Sequence, residues 1–406
     1  MNEHSPKRLF YGSCFALITT AFSFSIRAGI LPQLADTFDL TGQQLGFINS
    51  MFFYGFPISM LLGGIFYSTI GPKNIMLFAV FAHTVGIVMT IYATGYTSLL
   101  ISTLFIGLGN GCTEAACNPM IATAYSGKVM NTLLNRFHMW FHGGIVIGSL
   151  ISLAMTKMNL GWEAQIWVIM IPTLIYAYLF YGQPFPKPQN QEVASLAGNL
   201  KAMASPLFVF MCVCMTLTAI SEFGPTQWAQ LVLAKSGAEP MVILALITGL
   251  VSFGRYFGGE FVHRFGQTKV LLTGSIFTTI GIYLLSTQTG AMAYVAAVFF
   301  AIGICYFWPN ILGFVAEKIP LSGAIGMSIV GAFGMLSTAM FQSIIGGWID
   351  DAGAKAASMG LKGDELELVA GQVTLQKMIT FPAIVVVLFI ILLFWERSRK
   401  AKLATT

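Results

Sequence analysis

Three ionisable side chains stand deep inside apolar runs of this 406-residue chain: Arg27, Glu114 and Glu222. Inside a hydrocarbon layer a bare charge costs at least about 2.5–3.5 kcal/mol, so each should face a partner or a water-filled cavity. Amides and rings recur around them at helical spacing. Asn110, Glu114 and Asn118 follow at i, i+4 and i+8, which is one helix face. Asn131, Asn135, His138 and His142 form a second stripe, with Trp140 and Phe141 between them. Thr218, Glu222, Thr226 and Gln230 form a third, flanked by Gln227 and Trp228. Tyr306, Phe307, Trp308, Pro309 and Asn310 stand together, and Ser337, Thr338 and Gln342 lie in the run that follows. Aromatic rings beside amides suit sugars, whose apolar faces stack while their hydroxyls hydrogen-bond. The structural alternatives are a packing cluster and a buried ion pair. The chain has no nucleophile–base pair, metal-ligand spacing or phosphate loop, so enzyme chemistry, a metal and a cofactor are not expected.

The elements that must carry these residues follow from composition. The chain is 56% hydrophobic and 9% charged, where a soluble protein carries roughly 25% charge. Its surface must therefore face lipid. A spanning helix needs about 20 mostly apolar residues. Twelve runs qualify: 9–31, 45–70, 74–94, 97–124, 133–156, 163–182, 204–232, 241–262, 269–287, 291–316, 323–348 and 374–395. Pro119 and Pro225 are expected to disturb the backbone ladder of their spans. Two connections are long, 183–203 in the middle and 349–373 before the last span. Cys14, Cys112, Cys117, Cys212, Cys214 and Cys305 all lie in apolar stretches and read as small buried hydrophobes.

Basic residues set the expected orientation. Loops on the side of the N-terminus hold 14 of the 21 lysines and arginines, from Lys7 and Arg8 to Lys402, and the opposite loops hold five. Both termini and the central linker are therefore expected in the cytoplasm, at the cytoplasmic membrane. Scattered loop charges also give no basic patch for nucleic acid. Contacts with lipid and a monomeric state are expected.

An internal repeat supports two halves. Gly64 is followed by Gly71 and Lys73, and Gly259 by Gly266 and Lys269, an offset of 195 residues. The same offset maps Arg27 onto Glu222. The expected fold is an all-α membrane protein of twelve helices in two pseudo-symmetric six-helix bundles, residues 1–182 and 204–406, joined by a linker at 183–203. Small residues at Gly64, Gly71, Gly259 and Gly266, beside Arg264, allow close helix approach, and the resemblance of this turn to the one that follows the second span in the major facilitator superfamily implies a cytoplasmic gate there.

A family resemblance rests on particular segments. The run from Gly107 to Pro119, with Glu114, Asn118 and Pro119, resembles the fourth span of the fucose:proton symporter family of the major facilitator superfamily. Leu31-Pro32-Gln33 followed by Gly46, Asn49, Ser50, Phe53, Tyr54 and Gly55 is similar to its first two spans. The runs Asn135–Gly144 and Gly331–Asp350, with Pro309, also fit. The resemblance implies proton-coupled sugar uptake by alternating access, with Glu114 in coupling and sugar binding. The chain departs from the family in the first span, where Arg27-Ala28 stands near the position of the family's acid.

Together these readings make the chain a secondary carrier of a small polar solute, a sugar first and an organic anion or sugar acid held by Arg27 as the alternative. The candidate substrate-binding residues are Arg27, Asn49, Asn118, Asn135, His138, His142, Gln227, Trp308, Asn310 and Gln342. Glu114 and Glu222 are the candidate proton-coupling residues. An ion pair between Arg27 and Glu114 is expected, which leaves Glu222, with no cation evident in its half, as the carboxyl that exchanges a proton.

Overall fold

The computed structural model describes residues 6–125, 127–186 and 201–404. The first half holds α1 (Pro6–Phe38), α2 (Gly42–Ile65), α3 (Pro72–Ile91), α4 (Tyr96–Ala124), α5 (Gly127–Lys157) and α6 (Trp162–Phe180). The second holds α7 (Pro206–Gln227), α8 (Pro240–Phe265), α9 (Gln267–Thr287), α10 in two segments (Ala291–Ile304 and Phe307–Lys318), α11 (Gly323–Ser358) and α12 in two segments (Gly363–Met378 and Thr380–Ala404). Among the described residues, twelve helices are long and apolar enough to cross a membrane, as the sequence predicts. All six cysteines are free and buried, as expected.

The repeat is visible in the backbone. Gly71 and Gly266 adopt φ of +79° and +83° and lead into α3 and α9, a conformation that a side chain resists. Gly86 and Gly281, again 195 residues apart, bring α3 onto α4 and α9 onto α10. A Cβ at either would meet backbone of the neighbouring helix.

Two expectations about elements are corrected. Residues 349–373 are helical rather than a loop: α11 runs on to Ser358, a turn follows, and α12 begins at Gly363. Pro225 does not interrupt the seventh span, which stays helical to Gln227 and breaks at Trp228. Pro119 lies inside α4, where it supplies no N–H to the ladder. The linker residues 187–200 lie outside the described residues.

The halves meet at the end of the molecule away from the termini, here the far end. There α2 lies against α11 with backbone nearly in contact. A Cβ on Gly346 would collide with the Gly42 backbone, and one on Gly46 with Gln342 and Ser343. Ser50 Oγ donates to the Ala339 carbonyl across the same seam. Thr41 and Gln44 form a capping box at the start of α2. The next two free amides are taken by the other half: Asp350 accepts the N–H of Gly42 at 2.8 Å and of Gln43 at 2.9 Å. A carboxylate there also faces the positive end of the helix dipole.

On the other flank, α5 meets α8 and Lys157 pairs with Glu239 at 3.4 Å. The Lys157 side chain is 65% exposed, and exposed pairs contribute only about 0–1 kcal/mol. Lys157→Ala should therefore leave far-end closure nearly unchanged, as read by thiol labelling of a cysteine at Ser50.

The near end, which carries the termini, is more accessible. Glu114 and Asn118 are half-buried there and His138 is exposed. A Cβ on Gly64, Gly71 or Gly266 would meet nothing within 4 Å from the rest of the protein.

Candidate functional site: a cleft between the halves

Rings join the halves at mid-depth. Phe24 of α1 packs on Phe53, Phe141 and Phe223, with centroids 6.4, 6.2 and 5.9 Å away, and Phe223 meets Trp308 at 6.4 Å. These contacts set one level across α1, α2, α5, α7 and α10.

Arg27 lies one turn beyond Phe24, toward the far end. Its side chain is buried, donates to Asn49 Oδ1 and places its guanidinium 4.9 Å from the Phe52 ring centroid. The expected ion pair with Glu114 is not formed. Asn110 of α4 donates to Ser23 of α1 at 3.3 Å, which fixes the level of these antiparallel helices. Arg27 is one turn above that level and Glu114 one turn below it. At 1.5 Å per residue, about 12 Å of helix axis separates them. Glu114 instead accepts from Asn118 Nδ2 at 2.6 Å.

Glu222 corrects a second expectation. Arg255 of α8 places Nη2 3.6 Å from Glu222 Oε1, so the second half does supply a cation. Arg255 joins Arg27, Glu114 and Glu222 as an arginine or carboxylate set inside the spans. Its Nε donates to the Cys305 carbonyl at 2.9 Å. His142, from the first half, is buried and lines the same narrow cleft as Glu222, Thr226 and Thr248. His138 does not join it. The side chain of Asn135 and the surroundings of Gly259 lie outside the described residues. Arg264 is exposed, with its guanidinium 5.7 Å from the Phe265 ring centroid.

Two kinds of polar group can be told apart by their hydrogen bonds. His83, absent from the predicted site, links α6, α3, α4 and α1 in one chain. Tyr176 O–H donates to His83 Nδ1 (2.8 Å), His83 Nε2–H to Asn110 Oδ1 (2.9 Å) and Asn110 Nδ2 to Ser23. Every member is satisfied, so this chain holds the bundle together. His83→Leu would strand the Tyr176 hydroxyl and the Asn110 carbonyl. It should lower unfolding stability by about 1–3 kcal/mol, seen as an earlier thermal transition in detergent.

The amides of Asn49 and Gln342 behave differently. Gln342 Oε1 accepts from the Trp228 indole at 2.8 Å, and Asn49 Oδ1 accepts from Arg27. Indole and guanidinium can only donate. The amide orientations are therefore fixed, and Asn49 Nδ2 and Gln342 Nε2 are donors. Both are buried, as is Asn310 Nδ2, and none finds an acceptor in the protein. Gln227 Nε2 reaches the Phe24 carbonyl at 3.4 Å, across the halves. Buried donors without acceptors are uncommon in folded proteins.

The chain matches the Major Facilitator Superfamily over residues 13–342. It belongs to that family. Members of the superfamily move small solutes, and the family and the relatives below are transporters rather than enzymes. The hexuronate transporter of Bacillus subtilis (strain 168) is 25% identical over 264 residues, 61% of this chain and 62% of that protein. The match therefore spans less than two thirds of that relative. The 3-(3-hydroxy-phenyl)propionate transporter of Escherichia coli (strain K12) is 23% identical over 354 residues, 83% of this chain and 86% of that one. Among solved structures, the superfamily transporter FucP in the outward conformation aligns with a TM-score of 0.58 at 17% identity, covering 93% of this chain and 98% of that one. That likeness supports the twelve-helix fold in two bundles.

Proposed function

We propose that this superfamily member is a secondary carrier of a sugar acid or a similar small organic anion, with Arg27 as the ligand of the carboxylate. The observation that carries this reading is the set of partners around Arg27. Among the described residues Arg27 forms no ion pair; its neighbours are an amide and an aromatic ring. A buried cation in a membrane protein calls for an anion, and a guanidinium fork matches a carboxylate. The unfilled donors on Asn49, Gln342 and Asn310 add sites for oxygens. A cargo rich in acceptors fits them better than a neutral sugar. Trp308 and Phe223 remain suited to the apolar face of a sugar ring, so the sugar reading survives as ring recognition. The names of the two relatives, both carriers of carboxylates, support the same choice.

In this reading the near end is cytoplasmic, on the excess of basic residues in its loops, and the carrier sits in the cytoplasmic membrane as a monomer. Residues 1–182 and 204–406 act as the two moving bodies. The far-end seam then makes this conformation inward-facing. Opening that seam while closing the near end, around the glycine turns at Gly71 and Gly266, is the alternating-access step. Glu222 takes the coupling proton. Glu114, bonded to Asn118 at the accessible end of α4, is the second candidate for that role.

A thermal-shift comparison of purified protein tests the assignment. D-galactose and D-galacturonate share one ring and differ at C6, CH2OH against carboxylate. At 100 times its Kd a ligand stabilises by about 2.7 kcal/mol. Galacturonate should raise the transition by several degrees, whereas equal shifts by the two compounds would contradict the assignment.

A further inference from the structure

Arg255 has an unused donor. Its Nη2 is buried and makes no hydrogen bond to the protein, although it stands 3.6 Å from Glu222. That spacing allows ion pairing but not a hydrogen bond. Nε is held by the Cys305 carbonyl, so the guanidinium is oriented while one of its donors stays open. The pair stands at the cleft that Glu222 lines, and Arg27 lies on the far side of the ring level from it. Arg27 belongs to the first half and Arg255 to the second. Glu222 neighbours Phe223 in the ring level, and Arg27 lies three residues beyond Phe24, about 4.5 Å along the axis.

We infer that the preferred cargo class is a dicarboxylate, such as a sugar diacid, with one carboxylate on Arg27 and the other on Arg255. The inference rests on the proposed anion reading and narrows it. In the empty carrier, Arg255 is neutralised by Glu222. The second cargo carboxylate displaces Glu222, which takes up the coupling proton, H⁺, from solution: Glu222–COO⁻···Arg255⁺ + H⁺ + cargo–COO⁻ gives Glu222–COOH + Arg255⁺···⁻OOC–cargo. Charge balances, no co-reactant is needed, and a bare carboxylate is never left in the membrane interior. The other titratable groups facing this pair are His142 of α5 and the Cys305 thiol of α10, with His138 beyond His142. Leaving the cleft reverses the exchange, and Glu222 reclaims Arg255.

The test uses the full-length protein in detergent with three probes: D-galactose, D-galacturonate and the corresponding diacid, galactarate. Titration calorimetry in buffers of different ionisation enthalpy reads affinity and protons taken up. The wild type should bind galactarate about tenfold more tightly than galacturonate and take up more protons in doing so. Glu222→Gln frees Arg255 permanently; it should tighten galactarate selectively and abolish the additional proton uptake. Arg255→Gln should reduce galactarate affinity to the galacturonate level, and Arg255→Lys should restore part of it. If galacturonate binds but galactarate binds no better, or if Arg255→Gln leaves the preference intact, this inference is wrong and the anion reading stands. If neither acid binds, the anion reading falls and takes this one with it.

Discussion

Arg27→Ala should abolish galacturonate binding without destabilising the empty protein. Removing one member of a buried charge pair costs about 2–5 kcal/mol of binding, and each 1.4 kcal/mol is a factor of ten. The affinity loss is therefore roughly 30-fold to several thousand-fold. Arg27→Lys should fall between, because an ammonium keeps the charge but loses the planar fork. The stability side separates a ligand-binding arginine from a structural one. In the empty carrier Arg27 is a buried charge without an acidic partner among the described residues, and such a charge costs at least about 2.5 kcal/mol. Removing it should leave the thermal transition of the apo protein unchanged or higher. A simultaneous loss of apo stability and binding would instead make Arg27 a packing element.

The second large effect belongs to the far-end seam. Gly346→Leu places a branched side chain where the Gly42 backbone lies. Backbone cannot move aside as a flexible side chain can, so the seam cannot close. Transport should drop to background while the protein still folds, because each bundle keeps its own core. Labelling of a cysteine at Ser50, 2% exposed in the closed seam, should change from slow to fast. Asp350→Asn removes only the charge on the two α2 amides. Helix-end interactions of this kind are worth about 0.3–1 kcal/mol, so it should weaken closure several-fold at most. If Gly346→Leu still transports normally, the close α2–α11 approach is not an obligatory state of the cycle.

The twelve spans were legible because lipid imposes a simple demand, about 20 apolar residues each, and the halves were legible because the glycine turns repeat at one offset. The start of α12 was not. Asp364, Glu365 and Glu367 crowd its first turns, and a helix that continues beyond the apolar layer has no apolar run to reveal it. The residue types of the site were legible, but their partners were not. Arg27 and Glu114 look pairable on paper, and only the Ser23–Asn110 bond shows that their helices hold them two turns apart. Arg255 left a trace that could have been followed. Loops account for 19 of the 21 basic residues, and the two left over are Arg27 and Arg255. Spacing alone puts Arg255 on the face of Thr248 and Val251, seven and four residues earlier. His83 gave no such signal. A lone histidine in an apolar span becomes meaningful only when Tyr176 and Asn110 are seen on either side of it.

The central claim is that the cleft is built for a carboxylate. Reconstituted vesicles offered radiolabelled D-galacturonate and D-galactose side by side test it most directly. Galacturonate uptake should be saturable and lost in Arg27→Ala, with galactose at the level of empty vesicles. Uptake of galactose with galacturonate excluded would contradict it.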